Sequence, residues 1–270
     1  MTHLEVWGSP IEHSKSPQLH LAAYRALGLD WGFNRREVTQ QSFAAEIAAG
    51  SARGLAVTYP LKQNAFDRAE TLDRRAQLTG VANTLFFGGD EVQGFNTDVG
   101  GLAQALREVG MGDTRTVRIV GAGATTTSAI VSLSELAAER VEVVARRPEA
   151  ASPLIELGER AGVRVTVAPM AEPSGNVDVT IATLPGGTEL DAAIAERLGA
   201  TGGTLFDVAY SPWPTSLAAN WPGTAHHGLA MLLHQAVIQV RIFVNGDPQQ
   251  ELPDEEAVIE AMRASLAERE

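Results

Sequence analysis

The 270-residue chain contains no cysteine, and only two of its 21 basic residues, Lys15 and Lys62, are lysines. Without thiols neither a disulfide nor a thiolate-bound metal can form, so any metal would need histidine and carboxylate ligands. The six histidines show no paired spacing beside an acidic cluster, and no metal site is predicted. Long hydrophobic runs are also missing, because polar residues interrupt the most apolar window, Leu229 to Val244, and no membrane span is expected.

Acidic residues dominate the charge of the chain. The formal net charge of -12 argues against a nucleic-acid partner, because phosphates would be repelled over most of the surface. The first residues lack a basic segment followed by an apolar stretch, so a cytoplasmic protein is expected. The length and the 44% hydrophobic content predict one large domain or two ordinary ones with a sizeable core. Either a monomer or a homodimer fits this composition.

The most informative motif begins near the middle of the chain, where residues 116–133 read TVRIVGAGATTTSAIVSL. A short apolar run stops at glycines and resumes at helical spacing, which predicts a strand, a tight turn and a helix. Gly121 allows the turn, Gly123 lets the backbone approach a pyrophosphate, and the amides that open the helix point toward it. Thr126 stands where the pattern has a third small residue, and we expect it to loosen the packing of helix on strand.

The strand that follows this helix indicates which dinucleotide binds. A site for NAD would have an aspartate or glutamate near the strand end to hold the ribose 2′-hydroxyl, whereas this chain has Ala145, Arg146 and Arg147. Two guanidinium groups suit a 2′-phosphate, so NADP is the predicted cofactor. The alternative is that one or both arginines are solvated residues at a helix start.

The rest of the chain alternates between strands and helices and is predicted to be α/β. From Thr116 onward the order of elements is that of a doubly wound sheet, with strands near 117–121, 141–145, 163–167, 177–182 and 203–208. Upstream, a β-α-β-α-β pattern followed by a hairpin around Gly88 and Gly89 predicts a smaller, mostly parallel sheet. Two helices, Leu229 to Phe243 and Glu255 to Ala267, end the chain, and could cap either domain.

Several polar residues follow the predicted upstream strands. Ser14 and Ser16 lie on a loop that enters a helix, where hydroxyls and free amides can bind a carboxylate, although Ser16 is also a natural N-cap. Thr58 and Lys62 follow a strand end, where ligand sites of α/β proteins usually lie. A lysine beside a carboxylate such as Asp98 can move a proton while hydride passes to a nicotinamide. For Asp98 alone, helix capping is an equally good interpretation.

Seven segments together resemble the shikimate dehydrogenase family of aromatic amino acid biosynthesis. In chain order they are GSPIEHSKSPQLH, AVTYPLK, GVANT, GFNTDVGGL, GAGAT, DVAYSPWPT and GLAMLLHQA. The resemblance covers essentially the whole chain and implies NADPH-dependent reduction of 3-dehydroshikimate to shikimate. It also implies an N-terminal α/β substrate domain over 1–99, a Rossmann-type NADP-binding domain over 100–228, and C-terminal helices over 229–270 that return to the substrate domain.

The resemblance assigns a role to individual residues. Around the substrate these are Ser14, Ser16 and Tyr210 at the ring carboxylate, and Thr58, Asn83, Asp98 and Gln235 at the hydroxyls. Lys62 would be the catalytic acid and base, with Asp98 as its partner. The implied NADP set is Gly121, Ala122, Gly123, Ala124, Thr125, Arg146 and Arg147, with Val208, Gly228 and Met231 near the nicotinamide.

The chain departs from the family pattern at three places. GAGAT replaces the usual GAGGA, while Ala56 and Ala182 stand where asparagine is common, and these departures are expected to affect cofactor affinity and loop geometry. Two serines in the HSKSP loop are more typical of shikimate-specific members than of quinate-using ones. The alternatives left open are a quinate or amino-shikimate dehydrogenase using NAD and, more distantly, a nucleotide sensor without catalysis.

Overall fold

A computed structural model describes residues 2–50 and 52–267 of the chain. The chain divides into two compact units. The first comprises Met1–Thr97 together with Leu232–Glu270, and the second comprises Asp98–Met231. The first unit is therefore built from both ends of the sequence, with the second unit inserted into it.

The first unit contains a six-stranded mixed sheet in the order β2-β1-β3-β5-β6-β4. Its strands are β1 Thr2–Gly8, β2 Trp31–Glu37, β3 Gly54–Val57, β4 Thr71–Leu72, β5 Thr84–Phe86 and β6 Gln93–Phe95. Strand β1 pairs in parallel with both β2 and β3, whereas β5 pairs antiparallel with β3 and with β6. The predicted parallel core and the predicted hairpin are both confirmed.

Four helices connect these strands: α1 Ser16–Ala26, α2 Phe43–Ala49, α3 Lys62–Arg68 and α4 Arg74–Thr79. The prediction that Ser16 caps α1 is wrong, because Ser16 is the first helical residue and Lys15 precedes it without a capping side chain. Helices α3 and α4 were not predicted. Helix α4 is fixed by Asp73, whose carboxylate accepts a hydrogen bond from the amide of Ala76 at 2.7 Å.

Helix α5 Thr97–Glu108 leads into the second unit, which begins at Asp98. This unit contains a six-stranded, wholly parallel sheet in the order β12-β11-β10-β7-β8-β9. Its strands are β7 Thr116–Val120, β8 Arg140–Ala145, β9 Arg164–Pro169, β10 Val179–Ala182, β11 Thr204–Asp207 and β12 Ala225–His226. Between them lie α6 Ala124–Glu135, α7 Pro153–Ala161, α8 Ala192–Ala200 and α9 Ser216–Ala219. Counted from β7, the spatial order is 3-2-1-4-5-6, which is the doubly wound Rossmann order. Strand order reverses between β7 and β10.

A buried ion pair lies within this parallel sheet. Arg118 on β7 is 0% exposed, and its Nε donates to the carboxylate of Glu142 on β8 at 2.6 Å. The remaining guanidinium nitrogens donate to Thr201 Oγ1 and to the carbonyl of Gly175. The other carboxylate oxygen accepts from both the amide and the hydroxyl of Ser174. The pair thus anchors the helix-free connection between β9 and β10.

Helices α10 Leu229–Asn245 and α11 Glu255–Ala267 end the described chain. Phe243 of α10 and Met262 of α11 pack in one core with Leu4 of β1 and Leu19 of α1. The C-terminal helices therefore complete the first unit, as the resemblance implied, and do not cap the second. Over residues 2–50 and 52–267, no helix is both long enough and apolar enough to cross a membrane.

Candidate functional site

The mixed sheet of the first unit brings several polar segments to one edge. Val6 near the end of β1 is opposite Ala56 of β3, and Ala56 is opposite Thr84, the first residue of the antiparallel strand β5. Thr84 is in turn opposite Phe95, the last residue of β6. The segments that follow β1, β3 and β6 and the residue that precedes β5 therefore leave the same edge. These segments carry Ser14, Ser16, Thr58, Lys62, Asn83 and Thr97.

The segment between β1 and α1 holds the two serines close together. Ser14 and Ser16 are each 6% exposed, and the hydroxyl of Ser14 accepts a hydrogen bond from the amide of Ser16 at 3.3 Å. Their carbonyls are also held, since Arg35 Nε donates to Ser14 at 2.7 Å and His20 Nδ1 donates to Ser16 at 2.9 Å. The segment is thus fixed on both sides of Lys15.

Asn83 lies at the centre of a buried polar network in the first unit. It is 2% exposed, and its Nδ2 donates to Thr97 Oγ1 at 2.9 Å and approaches Gln235 Oε1 at 3.4 Å. Its Oδ1 accepts from the amide of Thr97 at 2.9 Å and from the hydroxyl of Thr84 at 3.0 Å. Gln239, one turn beyond Gln235, donates to Thr84 Oγ1 at 3.0 Å. These contacts fix the amides of Asn83 and Gln235 relative to each other.

Sequence reasoning missed Thr97 and Gln239 in this network. Thr97 was visible within the GFNTDVGGL segment, and Gln239 follows Gln235 by four residues, a spacing that puts two side chains on one helix face. Their partners Asn83 and Thr84 are more than ten residues away in sequence, so no local pattern links them.

Thr58 and Lys62 flank the turn from β3 into α3. The amide of Thr58 donates to the carbonyl of Trp7 at 2.9 Å, and its carbonyl accepts from Leu61 at 2.8 Å. Lys62 is the first residue of α3 and is partly buried, and its carbonyl accepts from Ala82 at 3.1 Å. The backbone on both sides of Lys62 is therefore held by hydrogen bonds.

Asp98 is the second residue of α5, one position after Thr97, so it lies inside the first helical turn and is not an N-cap. The capping interpretation is thus wrong. Its side chain is 6% exposed. Asp98 belongs to the second compact unit together with Tyr210 and all the residues predicted for the cofactor, whereas Lys62 belongs to the first.

The glycine-rich turn of the second unit has the geometry that the motif predicts. Gly121 has φ +124°, and a Cβ there would lie 2.5 Å from Thr183 Oγ1, so a larger residue is excluded. Gly123 precedes α6, and a Cβ placed on it would meet no atom within 4 Å. Ala122 and Gly123 are exposed, and the helix carries no capping side chain to occupy its first amides. Open space beside free helix amides fits a pyrophosphate.

Thr126 does not loosen the packing of α6 on the sheet, so the expectation from the sequence is corrected. It is 0% exposed, and its hydroxyl lies 2.8 Å from the hydroxyl of Thr183, just after β10. Thr183 in turn bonds the carbonyl of Val120 on β7 through both its amide and its hydroxyl, at 2.9 and 3.1 Å. A polar contact thus replaces close packing of small residues between α6 and the sheet.

Arg146 and Arg147 follow the last residue of β8, and both are exposed. They lie at the carboxyl end of the strand next to β7, which is where a Rossmann-type sheet holds the ribose of the nucleotide. Their placement fits a nucleotide that carries a 2′-phosphate.

The carboxyl end of β11 is organised by Asp207, another residue that sequence reasoning missed. Its carboxylate accepts from Thr215 Oγ1 at 2.6 Å and from the amide of Ala209 at 3.0 Å, and burial raises the pKa of this group. The two bonds close the loop that contains Val208 and Tyr210. Gly228 packs on this loop, because a Cβ there would lie 2.0 Å from the carbonyl of Val208.

Of the remaining predicted residues, Ala124 and Thr125 are the first two residues of α6 and are partly buried. Tyr210 is partly buried, and Met231, in the first turn of α10, is 7% exposed. Throughout residues 2–50 and 52–267, no group of three histidine, cysteine or acidic side chains is arranged to hold a metal ion.

An α/β protein with a Rossmann-type dinucleotide fold is thus defined by its sheet order and its glycine turn. A family model described as the shikimate dehydrogenase substrate binding domain matches residues 6–85. Shikimate dehydrogenase (NADP(+)) of Methanothermobacter thermautotrophicus is 31% identical over 92% of this chain and 93% of its own length. The same enzyme of Citrifermentans bemidjiense is 34% identical over 89% of both chains. The chain belongs to the shikimate dehydrogenase family.

Solved structures agree with this assignment. Shikimate dehydrogenase of Mycobacterium tuberculosis superposes with a TM-score of 0.83 at 36% identity, covering 98% of this chain and 100% of the other. Shikimate 5-dehydrogenase of Thermus thermophilus, in complex with NADP(H) and shikimate, gives a TM-score of 0.78 at 26% identity with the same coverage.

Proposed function

We propose that the chain is an NADP-dependent shikimate dehydrogenase, which reversibly reduces 3-dehydroshikimate to shikimate. The observation that carries this conclusion is the similarity to enzymes named shikimate dehydrogenase (NADP(+)) along 92% and 97% of this chain in two relatives. Each of the two units carries some of the side chains that the reaction requires. The reaction is that of an oxidoreductase acting on a CH–OH group, within the biosynthesis of aromatic amino acids.

The substrate is assigned to the polar edge of the first unit. The hydroxyls of Ser14 and Ser16 bind the ring carboxylate, and the buried amides of Asn83 and Gln235 bind ring hydroxyls, together with Thr58. The burial and the fixed orientation of these groups support this assignment. Side chains that are already ordered lose less conformational entropy when a small polyol binds. Tyr210 and Asp98 of the second unit complete the set.

The role of proton donor and acceptor is assigned to Lys62. Its ammonium group gives a proton to the oxygen that forms when the carbonyl carbon is reduced, and takes the proton back in the reverse reaction. Asp98, as a carboxylate, orients the ammonium group and the neighbouring hydroxyl. The fixed backbone of Lys62 and the burial of Asp98 support these roles.

NADPH, when bound, supplies the hydride for this reduction. Residues of the second unit bind it: the 121–125 turn at the pyrophosphate, Arg146 and Arg147 at the 2′-phosphate, and Val208, Gly228 and Met231 beside the nicotinamide. The open helix start and the exposed arginine pair support this assignment.

These roles correspond to a substrate-binding and catalytic domain over 1–99 completed by 229–270, and an NADP-binding domain over 100–228. The match of residues 6–85 to a substrate-binding domain supports the first of these. The cytoplasmic location and the absence of a nucleic-acid partner remain predictions of the sequence, and the proposed state is a monomer or a homodimer.

A four-way assay tests the proposed function. Shikimate and quinate are each supplied with NADP or NAD, and reduced nicotinamide is followed by its absorbance. The largest kcat/KM is expected for shikimate with NADP. A preference for quinate with NAD would show that the quinate alternative is right, whereas NADP binding without turnover would indicate a sensor.

The role of Lys62 is tested by Lys62→Ala. We expect kcat to fall by about 100-fold to 10,000-fold, the usual range for a lost general acid, with the KM for shikimate within a few-fold. Gln63→Ala is the matched control, because Gln63 is the next residue of α3, is exposed, and donates to the exposed Asp67. Turnover by Lys62→Ala close to that of the control would remove the assignment.

A further inference from the structure

The segment that carries Ser14 and Ser16 is held by strand β2 as well as by its own helix. Arg35 is opposite Val6 in the β1–β2 register, so it projects from the same sheet face as Val6 and its neighbour Leu4. Its Nε donates to the carbonyl of Ser14 at 2.7 Å. The contact spans 21 residues of sequence. It was not predicted from the sequence.

The second contact reaches Ser16 by way of His20. The ring of His20 is stacked on Phe33 of β2, with centroids 3.9 Å apart and an angle of 15° between the planes. Its Nδ1 donates to the Ser16 carbonyl at 2.9 Å. Strand β2 thus contacts both serine carbonyls, directly through Arg35 and indirectly through the stacking of Phe33 on His20. Within the segment, Ser14 Oγ also accepts a hydrogen bond from the amide of Ser16.

The charge of Arg35 adds a second effect. The chain carries a net charge of -12, which opposes the approach of a carboxylate substrate. The guanidinium group of Arg35, which is bonded directly to the serine segment, carries a positive charge that favours an anion bound there. An exposed charge of this kind is screened by salt, so its effect depends on ionic strength.

We propose that Arg35 is a positioning residue for substrate binding: it orients the Ser14–Ser16 segment and attracts the carboxylate of the substrate. This inference rests on the proposed function, in which the two serines bind the ring carboxylate. It predicts an effect on the affinity for shikimate and little effect on the chemical step or on NADP.

Arg35→Met and Arg35→Lys test the proposal, with Arg36→Met as the matched control. Arg36 is the next residue of β2 but faces the other side of the sheet, where it pairs with Glu46 and stacks over Trp7. For Arg35→Met we expect the KM for shikimate to rise about tenfold, because the serine segment loses its contact with β2 and the bound carboxylate loses a nearby positive charge. The kcat and the KM for NADP should stay within about threefold. Arg35→Lys should recover part of the loss.

Ionic strength tests the attraction of the substrate carboxylate by the charge of Arg35, because salt screens that charge. In the wild type and in Arg36→Met, the KM for shikimate should rise with salt, whereas in Arg35→Met the dependence should be weaker. Equal salt dependence in all three proteins, or a KM for Arg35→Met within twofold of the wild type, would overturn the inference. A wild type that does not oxidise shikimate at all would instead overturn the proposed function. Thermal unfolding of each variant verifies that it is folded.

Discussion

His20 makes the stability of the protein depend on pH in a calculable way. Burial lowers the pKa of this side chain from 6.5 to about 4, partly offset by the hydrogen bond to Ser16. The folded state therefore keeps the ring neutral at a pH where the unfolded chain binds a proton. Because the unfolded state binds more protons at this position between pH 6.5 and about 4, the contribution of His20 lowers the free energy of unfolding as the pH falls through that window.

The magnitude follows from linkage. Between about pH 7 and about pH 5 the unfolded chain gains nearly one proton at this position and the folded protein almost none. This difference in proton binding lowers the free energy of unfolding by about 2 kcal/mol. That is a sizeable part of the stability of an ordinary domain. Asp73 and Asp207, whose pKa values are raised by burial, act in the opposite direction, so the contribution of His20 must be isolated by comparison.

The comparison uses His20→Phe, which keeps an aromatic ring against Phe33 but cannot titrate. Urea unfolding at several pH values should show that the wild type loses about 2 kcal/mol more than His20→Phe between about pH 7 and about pH 5. His13→Gln, at an exposed histidine, is the control and should follow the wild type. Parallel pH profiles for the wild type and His20→Phe would refute the argument that His20 is neutral in the folded protein.

Two further predictions concern the second unit. Replacing Arg146 and Arg147 together by glutamine should raise the KM for NADP far more than the KM for NAD, because only NADP has the 2′-phosphate. Equal changes in the two KM values, measured by steady-state kinetics, would show that the two arginines do not bind the 2′-phosphate. Arg118→Met should lower the free energy of unfolding by about 3–5 kcal/mol, since it leaves Glu142 buried without its cation. The double variant with Glu142→Leu should be less destabilised in urea, and equal losses would contradict this explanation.

The sequence was sufficient to predict the elements whose signal is local. The glycine turn after β7 and the alternation of strands and helices depend on spacings within a few residues, and the structure reproduces them. The helices α3 and α4 were missed, because seven and six residues give too few turns for a periodic pattern, and β4 was missed because it has only two residues. Lys62 was nevertheless identified, because its chemistry and its place after a strand do not depend on recognising α3.

Arg118 and Glu142 show a different reason for failure. A charged residue inside a strand is normally expected at the surface, since burying an unpaired charge is costly. Here each charge is buried because its partner is on the neighbouring strand and the connection containing Ser174 and Gly175 supplies the other bonds. Those partners are 24 to 57 residues away, and only the folded sheet brings them together.

Arg35 and Arg36 illustrate how strand register decides which side chain contacts the serine segment. The two residues are adjacent and chemically identical, so nothing in the sequence shows which of them contacts the serine segment. The pairing of Val6 with Arg35 and of Trp7 with Arg36 places them on opposite faces of the sheet. A slip of one residue between β1 and β2 would exchange the two faces and also turn Phe33 away from His20, on which it is stacked. The burial of Phe33 therefore specifies the register, and the register in turn directs Arg35 to Ser14.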